Sequence, residues 1–174
     1  MELIELLKNR RSRRRFTDRK IEEEKKDLLI KSVLLSPASK SSNPWEFVVV
    51  DDPELLKQLA TSKPHGAELV AGASLAFVVL GNPAKSDVWV EDCSIASVLL
   101  QLEAEDLGLG SCWVQVRARN HADGYPASEF IKKLLGVPEN LEVLSIVAIG
   151  YSEEEKKPRV FEKLGYEKIH QNKY

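Results

Sequence analysis

Positions 10–15 hold five arginines and a serine, Arg10, Arg11, Ser12, Arg13, Arg14 and Arg15, followed by Phe16. The run packs guanidinium groups and a hydroxyl into one turn just past a helix. A guanidinium stays charged and grips phosphate oxygens through two parallel N–H donors, so a pair of these with Ser12 suits a terminal phosphate dianion. Taken alone, the run also reads as a solvated charge cluster, or as a basic patch for nucleic acid or localisation. The acidic stretch Glu22–Glu24 nearby and the net charge of −2 weaken the nucleic-acid version.

Three further segments bear on chemistry. Residues 36–47, SPASKSSNPWEF, set small residues between Pro37 and Pro44 directly before a β-branched run, a loop whose backbone can closely approach a planar ligand. Leu107-Gly108-Leu109-Gly110-Ser111 has glycines, but Trp113 stands where a dinucleotide fingerprint needs its third, and the motif follows a helix and precedes a strand. A helix stop leading into a buried strand explains it. Lys156-Lys157-Pro158-Arg159 is a charge cluster after the last strand. Cys93 and Cys112 form no CxxC pair and read as core residues, and His65, His121 and His170 are too dispersed for a metal site. No metal is expected.

These groups must be positioned by regular elements. Residues 2–9 place Leu3, Leu6 and Leu7 on one helical face, and 22–35 reads as a second helix, acidic in its first turn and closed before Pro37. Strands are predicted over 45–52, 74–81, 111–117 and 141–150. Asp52 and Pro53 start a helix over 53–60, and 128–135 reads as another, ended by Gly136. A long helix over 88–106, capped by Asp87 and stopped by Gly108, puts Ile95, Val98, Leu99 and Leu102 on one face, with Val88, Val90 and Leu100 on others. A helix apolar on more than one side is buried centrally or packs on a partner. The polar tail 151–174 keeps Phe161, Tyr166 and Tyr174, which also points to packing on another subunit. Helices and strands in this order fit an α/β or α+β sandwich, and periodicity leaves the sheet's strand directions open. The N-terminus MELIELLKNRR is not a signal peptide, and no run approaches a membrane span, so a reduced cytoplasmic protein is the reading.

Together, RRSRRRF, SPASKSSNPWEF, GLGSCW, IVAIGY and the downstream KPR occur in the order found in nitroreductase-like flavoproteins, and the chain resembles that family from residue 2 to about 160. The resemblance implies an α+β sandwich with a central mixed sheet flanked by helices. It implies one domain over 1–174, dimeric, with FMN between the subunits and the tail 151–174 packing on the partner. Carried over, Arg10, Arg11, Ser12 and Arg14 correspond to the phosphate, ribityl and pyrimidine-end contacts. Pro37, Ala38, Ser39 and Ser41 lie in the loop that reaches the flavin from the other subunit. Gln115 matches the position whose backbone N–H faces flavin N5, and Lys157 and Arg159 match the C-terminal phosphate ligands. The family's mid-chain polar contact falls in residues 61–66, TSKPHG, with His65 as the candidate. Ala38, Ser41 and Asn43 depart from the family's usual Ser, Asn and Gln, and Trp113–Val116 replaces its usual Pro-x-Glu-Gly.

The implied activity is NAD(P)H oxidation coupled to reduction of nitroaromatics, quinones or similar electrophiles, in ping-pong fashion. The flavin does the chemistry, and no side chain serves as acid or nucleophile. The alternatives are a flavin-dependent dehalogenase or flavin-fragmenting enzyme on the same fold, or a non-enzymatic nucleic-acid or phosphate binder using Arg10–Arg15.

Overall fold

A computed structural model describes residues 2–174. Four strands, β1 (Trp45–Val50), β2 (Leu75–Gly81), β3 (Gly110–Gln115) and β4 (Glu142–Gly150), form one sheet in the order β1-β2-β4-β3. All three ladders are antiparallel. Where a mixed sheet was expected, the four strands are antiparallel throughout, and among the described residues the parallel pairing is an isolated bridge between Ser12 and Ser111 beside β3.

Helices cover both faces, as the α+β sandwich requires. On one face α2 (Glu23–Leu34) and α4 (Trp89–Asp106) bury Leu29, Val33, Cys93, Leu100 and Ala104 against Phe77, Val79 and Val147. On the other, α3 (Pro53–Leu59) and α5 (Ala127–Leu135) bury Leu56, Leu59 and Ile131 against Val78, Val114 and Ile146. Strand alternation sends neighbouring residues to opposite cores: Val114 enters the second cluster while Trp113 packs on the first. The remaining helix, α1 (Leu3–Asn9), buries none of its residues.

Local signals set most boundaries. The Asp52 carboxylate accepts from the N–H groups of Glu54 and Leu55 at 2.9 and 2.8 Å, with Pro53 opening the helix. Gly136 ends α5 at φ 66°, a left-handed geometry that glycine adopts without strain.

Two expectations need correction, and a third is narrowed to its partner-facing alternative. Asp87 does not cap α4; the cap position is Val88, without a side-chain cap. Ser86 turns in instead, accepting from the Val88 N–H at 3.3 Å and donating to Asp92 at 3.1 Å. The strand expected over 111–117 stops at Gln115, because the N–H groups of Val116 and Arg117 both converge on the Leu144 carbonyl and break the ladder. The apolar row of α4 is its outer face. The sheet accepts the small side, Cys93, Ala96, Ser97 and Ala104, leaving Ile95 and Val98 43% and 46% exposed. Leu99 and Leu102 line an apolar groove shared with Leu3, Leu6 and Leu35.

Candidate functional site

The arginine run is extended, not a turn. Ser12 bridges to Ser111, the Arg13 N–H donates to the Ser111 carbonyl at 3.0 Å, and Phe16 bridges to Ser152. Gly110 and Gly150 permit this close approach. A Cβ on Gly110 would fall 3.0 Å from Arg13 Cδ, and one on Gly150 would fall 3.0 Å from the Phe16 ring. A side chain at either position would lift the segment off the sheet.

Extension splits the arginines by parity. Arg11 donates to the Lys157 carbonyl at 2.7 Å, and Arg13 donates to the Glu154 carbonyl and faces Glu105 at 3.7 Å. These two tie the segment to the tail and to α4. Ser12 hydrogen-bonds the Cys112 thiol of β3, and the charges of Arg14 and Arg10 both act on it. Burial pushes the Cys112 thiol up, while positive Arg14, a hydrogen bond from Ser12 and positive Arg10 draw it back. Among the described residues, neither the Arg10 nor the Arg14 guanidinium has a carboxylate or carbonyl partner. Two cations and a hydroxyl acting on one thiol, with neither guanidinium paired to a carboxylate, are the donor set that a phosphate-bearing ligand needs.

Sequence reading missed one member of this cluster. In the 61–66 loop it is the half-buried Lys63, not the exposed His65, that comes within electrostatic reach of Cys112. Burial, and then the like charge of Arg119, push the Lys63 ammonium down. Lys63 is the one cation of the TSKPHG stretch with a long stem, which is the signal that could have singled it out.

Glu154 fastens the arginine segment. Its carboxylate accepts from Lys156 at 2.8 Å and from the backbone N–H groups of Arg14 and Arg15. The Lys156 hydrogen bond first, then the Arg14 amide, hold its pKa down at about 2. A depressed carboxylate contributes stability that is complete above its ordinary pKa of 4.5 and fades as pH falls toward about 2. Glu154→Gln is therefore expected to destabilise the protein at pH 7 by about 1.5 kcal/mol, the lower range for charged hydrogen bonds. Urea titrations of the two proteins should converge as pH drops through that window. A difference that persists unchanged at pH 2.5 would assign the loss to something other than the carboxylate's charge.

Gln115 sits at the C-terminal end of β3. Antiparallel residues alternate between facing the partner and facing away. Val116 donates to Leu144 of the β4 side, and Ser111 faces outward to Arg13, so the Gln115 N–H points from the free edge of β3. Its side chain is held along the strand, accepting from Trp113 Nε1 at 2.9 Å and donating to the Arg117 carbonyl at 2.8 Å.

The loop carrying Pro37, Ala38, Ser39 and Ser41 lies elsewhere. It precedes β1, the opposite edge strand, three inter-strand spacings or roughly 14 Å across the sheet from β3. The buried Asp92 carboxylate accepts from the Ser39 N–H at 2.9 Å, and Lys40, Ser41 and Asn43 adopt positive φ. One chain therefore does not bring this loop to its own arginines. Lys157 and Arg159 are exposed, with the Arg159 N–H donating to the Lys8 carbonyl at 2.9 Å, so the tail runs back over α1 beside Arg11.

A groove of about 580 Å³ between Thr17–Lys26 and Asp51–Leu56 is a separate feature. Among the charges that line it, Lys26 pairs with Asp51, and Asp52 accepts from the start of α3. Among the described residues no helix is long and apolar enough to cross a membrane, and no cluster of three or more His, Cys, Asp or Glu could hold a metal ion.

An extended arginine segment on the edge of a helix-covered antiparallel sheet defines a class, and comparison identifies it. The Nitroreductase family model matches residues 7–151, and the chain belongs to that family. It is similar, at 44% identity and a TM-score of 0.97, to the solved structure of an FMN-dependent nitroreductase from Clostridium difficile R20291, covering 99% of this chain and 100% of that one. A protein of Archaeoglobus fulgidus named "Putative NADH dehydrogenase/NAD(P)H nitroreductase" is 38% identical over 162 residues, 89% of this chain and 88% of its own length. FMN reductase (NADPH) of Bacillus subtilis is 28% identical over 98% of this chain and 74% of its own length.

Proposed function

We propose that this protein is an FMN-dependent NAD(P)H oxidoreductase that works as a homodimer in the cytoplasm, reducing quinones, nitroaromatics or similar electrophiles. The observation that carries the reading is that Arg10, Ser12 and Arg14 all act on Cys112, while neither guanidinium has a carboxylate partner among the described residues. FMN supplies the hydride and electron transfer. Arg10 and Ser12 hold its phosphate, with Lys157 and Arg159 of the tail approaching from the Arg11 side. Arg14 and Lys63 set positive charge against the end of the ring that gains electrons. The outward Gln115 N–H offers a fixed donor at the edge of β3.

Two copies are needed to complete the site. The loop of Pro37, Ala38, Ser39 and Ser41 lies across the sheet from its own arginines, so it serves the site of the other copy. Residues 1–174 then act as one domain whose tail, 151–174, packs on the partner. Val160, Phe161, Leu164, Tyr166 and Ile169 are exposed in the single chain, and a partner would cover them.

The test is direct. The purified protein should be yellow and should bind FMN at least about tenfold more tightly than riboflavin, because charge-assisted phosphate contacts are strong. Anaerobic NADH or NADPH should bleach it, and double-reciprocal plots at several acceptor concentrations should be parallel. Equal affinity for riboflavin would remove Arg10 and Ser12 from a phosphate site. Intersecting plots would mean that donor and acceptor bind together.

A further inference from the structure

Asp92 is a buried carboxylate, 3% exposed, in the first turn of α4. Among the described residues no cation pairs with it, and burying a charge this way is costly unless hydrogen bonds compensate. One carboxylate oxygen accepts from the Ser39 N–H at 2.9 Å, and the other accepts from the Ser86 hydroxyl at 3.1 Å. Ser86 is itself held, since its hydroxyl oxygen accepts from the Val88 N–H at 3.3 Å. The carboxylate is therefore fixed on both sides, and one of its two partners is the backbone of the Ser39 loop.

That loop does not hold its shape unaided. Lys40, Ser41 and Asn43 sit at φ 52°, 53° and 41°, left-handed angles that a residue with a Cβ adopts at a cost and keeps only where its surroundings hold it. The other hydrogen bonds of residues 37–43 are local. The Ser41 N–H donates to the Ala38 carbonyl at 3.1 Å, the Ser42 N–H to the Ser39 carbonyl at 2.9 Å, and the Ser36 hydroxyl to the Pro37 carbonyl at 3.4 Å. Among the described residues, the bond from Ser39 to Asp92 is thus the one that ties this stretch to another element. The element is α4, which also carries the exposed Ile95 and Val98. One helix holds the loop at its start and presents the apolar row along its outer side.

We infer that Asp92 is a positioning residue for the flavin site of the other copy. Its carboxylate keeps the loop of Pro37, Ala38, Ser39 and Ser41 in the strained shape in which it meets that copy's FMN. The inference rests on the two-copy reading above. Freed from Asp92, the loop relaxes out of its left-handed angles, and FMN affinity falls with the fraction of loops still in place. The arginines of the same chain are untouched, because they lie at the opposite edge of the sheet.

The experiment reads FMN binding by fluorescence titration, without turnover. Asp92→Ala should bind FMN about tenfold or more weakly than wild type, as when fewer than a tenth of the loops remain competent. Asp92→Asn, whose amide oxygen still accepts from Ser39, should keep most of the affinity. Ser39→Pro removes the same bond from the loop side, outside both core clusters, and Ala38 already has the extended φ −139° and ψ 152° that a residue before proline favours. It should weaken FMN to a similar degree, with Ser39→Ala as the control for the lost hydroxyl, and it replaces Asp92→Ala if that chain does not fold. A mixed dimer then locates the effect. One chain carries Asp92→Ala and the other Arg10→Ala with Ser12→Ala, co-expressed under two tags. Acting across the dimer, these changes leave one composite site with an anchored loop and intact arginines, so half of the sites should regain wild-type affinity. No such recovery, or wild-type affinity in both Asp92→Ala and Ser39→Pro, overturns the assignment and leaves the flavin reading intact. Wild-type protein that binds no FMN overturns both.

Discussion

In FMN-loaded protein, replacing Arg14 with alanine is expected to slow anaerobic bleaching by NADH about a hundredfold or more, the usual cost of losing one preorganised group that opposes developing charge. FMN affinity should fall by much less. The asymmetry follows from where the charge sits. Arg14 is exposed, has no carboxylate partner of its own among the described residues, and shares the Cys112 side of the segment with Arg10 and Ser12. If Arg14 lies against the flavin as proposed, the oxidised ring would offer it little and the reduced ring would supply the anion it lacks, so its contribution would fall mainly on the transition state and product. Its backbone N–H remains tied to Glu154 in the variant, so the segment stays in register. Stopped-flow absorbance on fully loaded protein checks this. An unchanged reduction rate would take Arg14 out of the reacting region, and a proportional loss of rate and affinity would make it a binding group only.

The second large effect concerns assembly. Aspartates at both Ile95 and Val98 should convert the protein to monomer and weaken FMN binding by more than about a hundredfold, the loss expected when buried apolar contacts at an interface centre are replaced by charge. These residues stand on the outer face of α4, beside the groove of Leu3, Leu6, Leu35, Leu99 and Leu102, and α1 buries nothing within its own chain. So much apolar surface fits an obligate two-fold contact above about 2,000 Å². Light scattering reports the mass and flavin fluorescence the affinity. Circular dichroism confirms that the substituted chain still folds, because neither side chain enters the sheet-facing core. A folded monomer that keeps FMN at wild-type affinity would mean that the Ser39 loop of the other copy contributes nothing.

Much of this was legible in the residues, and for local reasons. Asp52 and Pro53 start a helix through groups two and three positions away, Gly136 ends one through its own φ, and alternation or helical spacing marks the core face of each element. The order of RRSRRRF, SPASKSSNPWEF, GLGSCW and KPR was enough to name the family. These signals depend on short-range chemistry, which a linear sequence carries in full.

What depended on distant partners was not legible. The arginine run reads as a turn, yet Ser111 and Ser152 draw it out as an extended edge, and only that extension separates Arg10, Ser12 and Arg14 from Arg11 and Arg13. The row of Ile95 and Val98 reads as either central core or partner-facing, and the sheet takes the side of α4 that carries Cys93, Ala96, Ser97, Leu100 and Ala104, leaving Ile95 and Val98 outside. Lys63 is half-buried and within electrostatic reach of Cys112, whereas His65 is exposed, a difference that the 61–66 sequence does not carry. The strand order β1-β2-β4-β3 sets the Ser39 loop and the arginines on opposite edges of one sheet. The sequence by itself determined the family and the inventory of groups available to this protein. The tertiary structure decided which of them face one another, since long-range hydrogen bonds and the volume available against the sheet choose among faces that local propensity leaves equivalent.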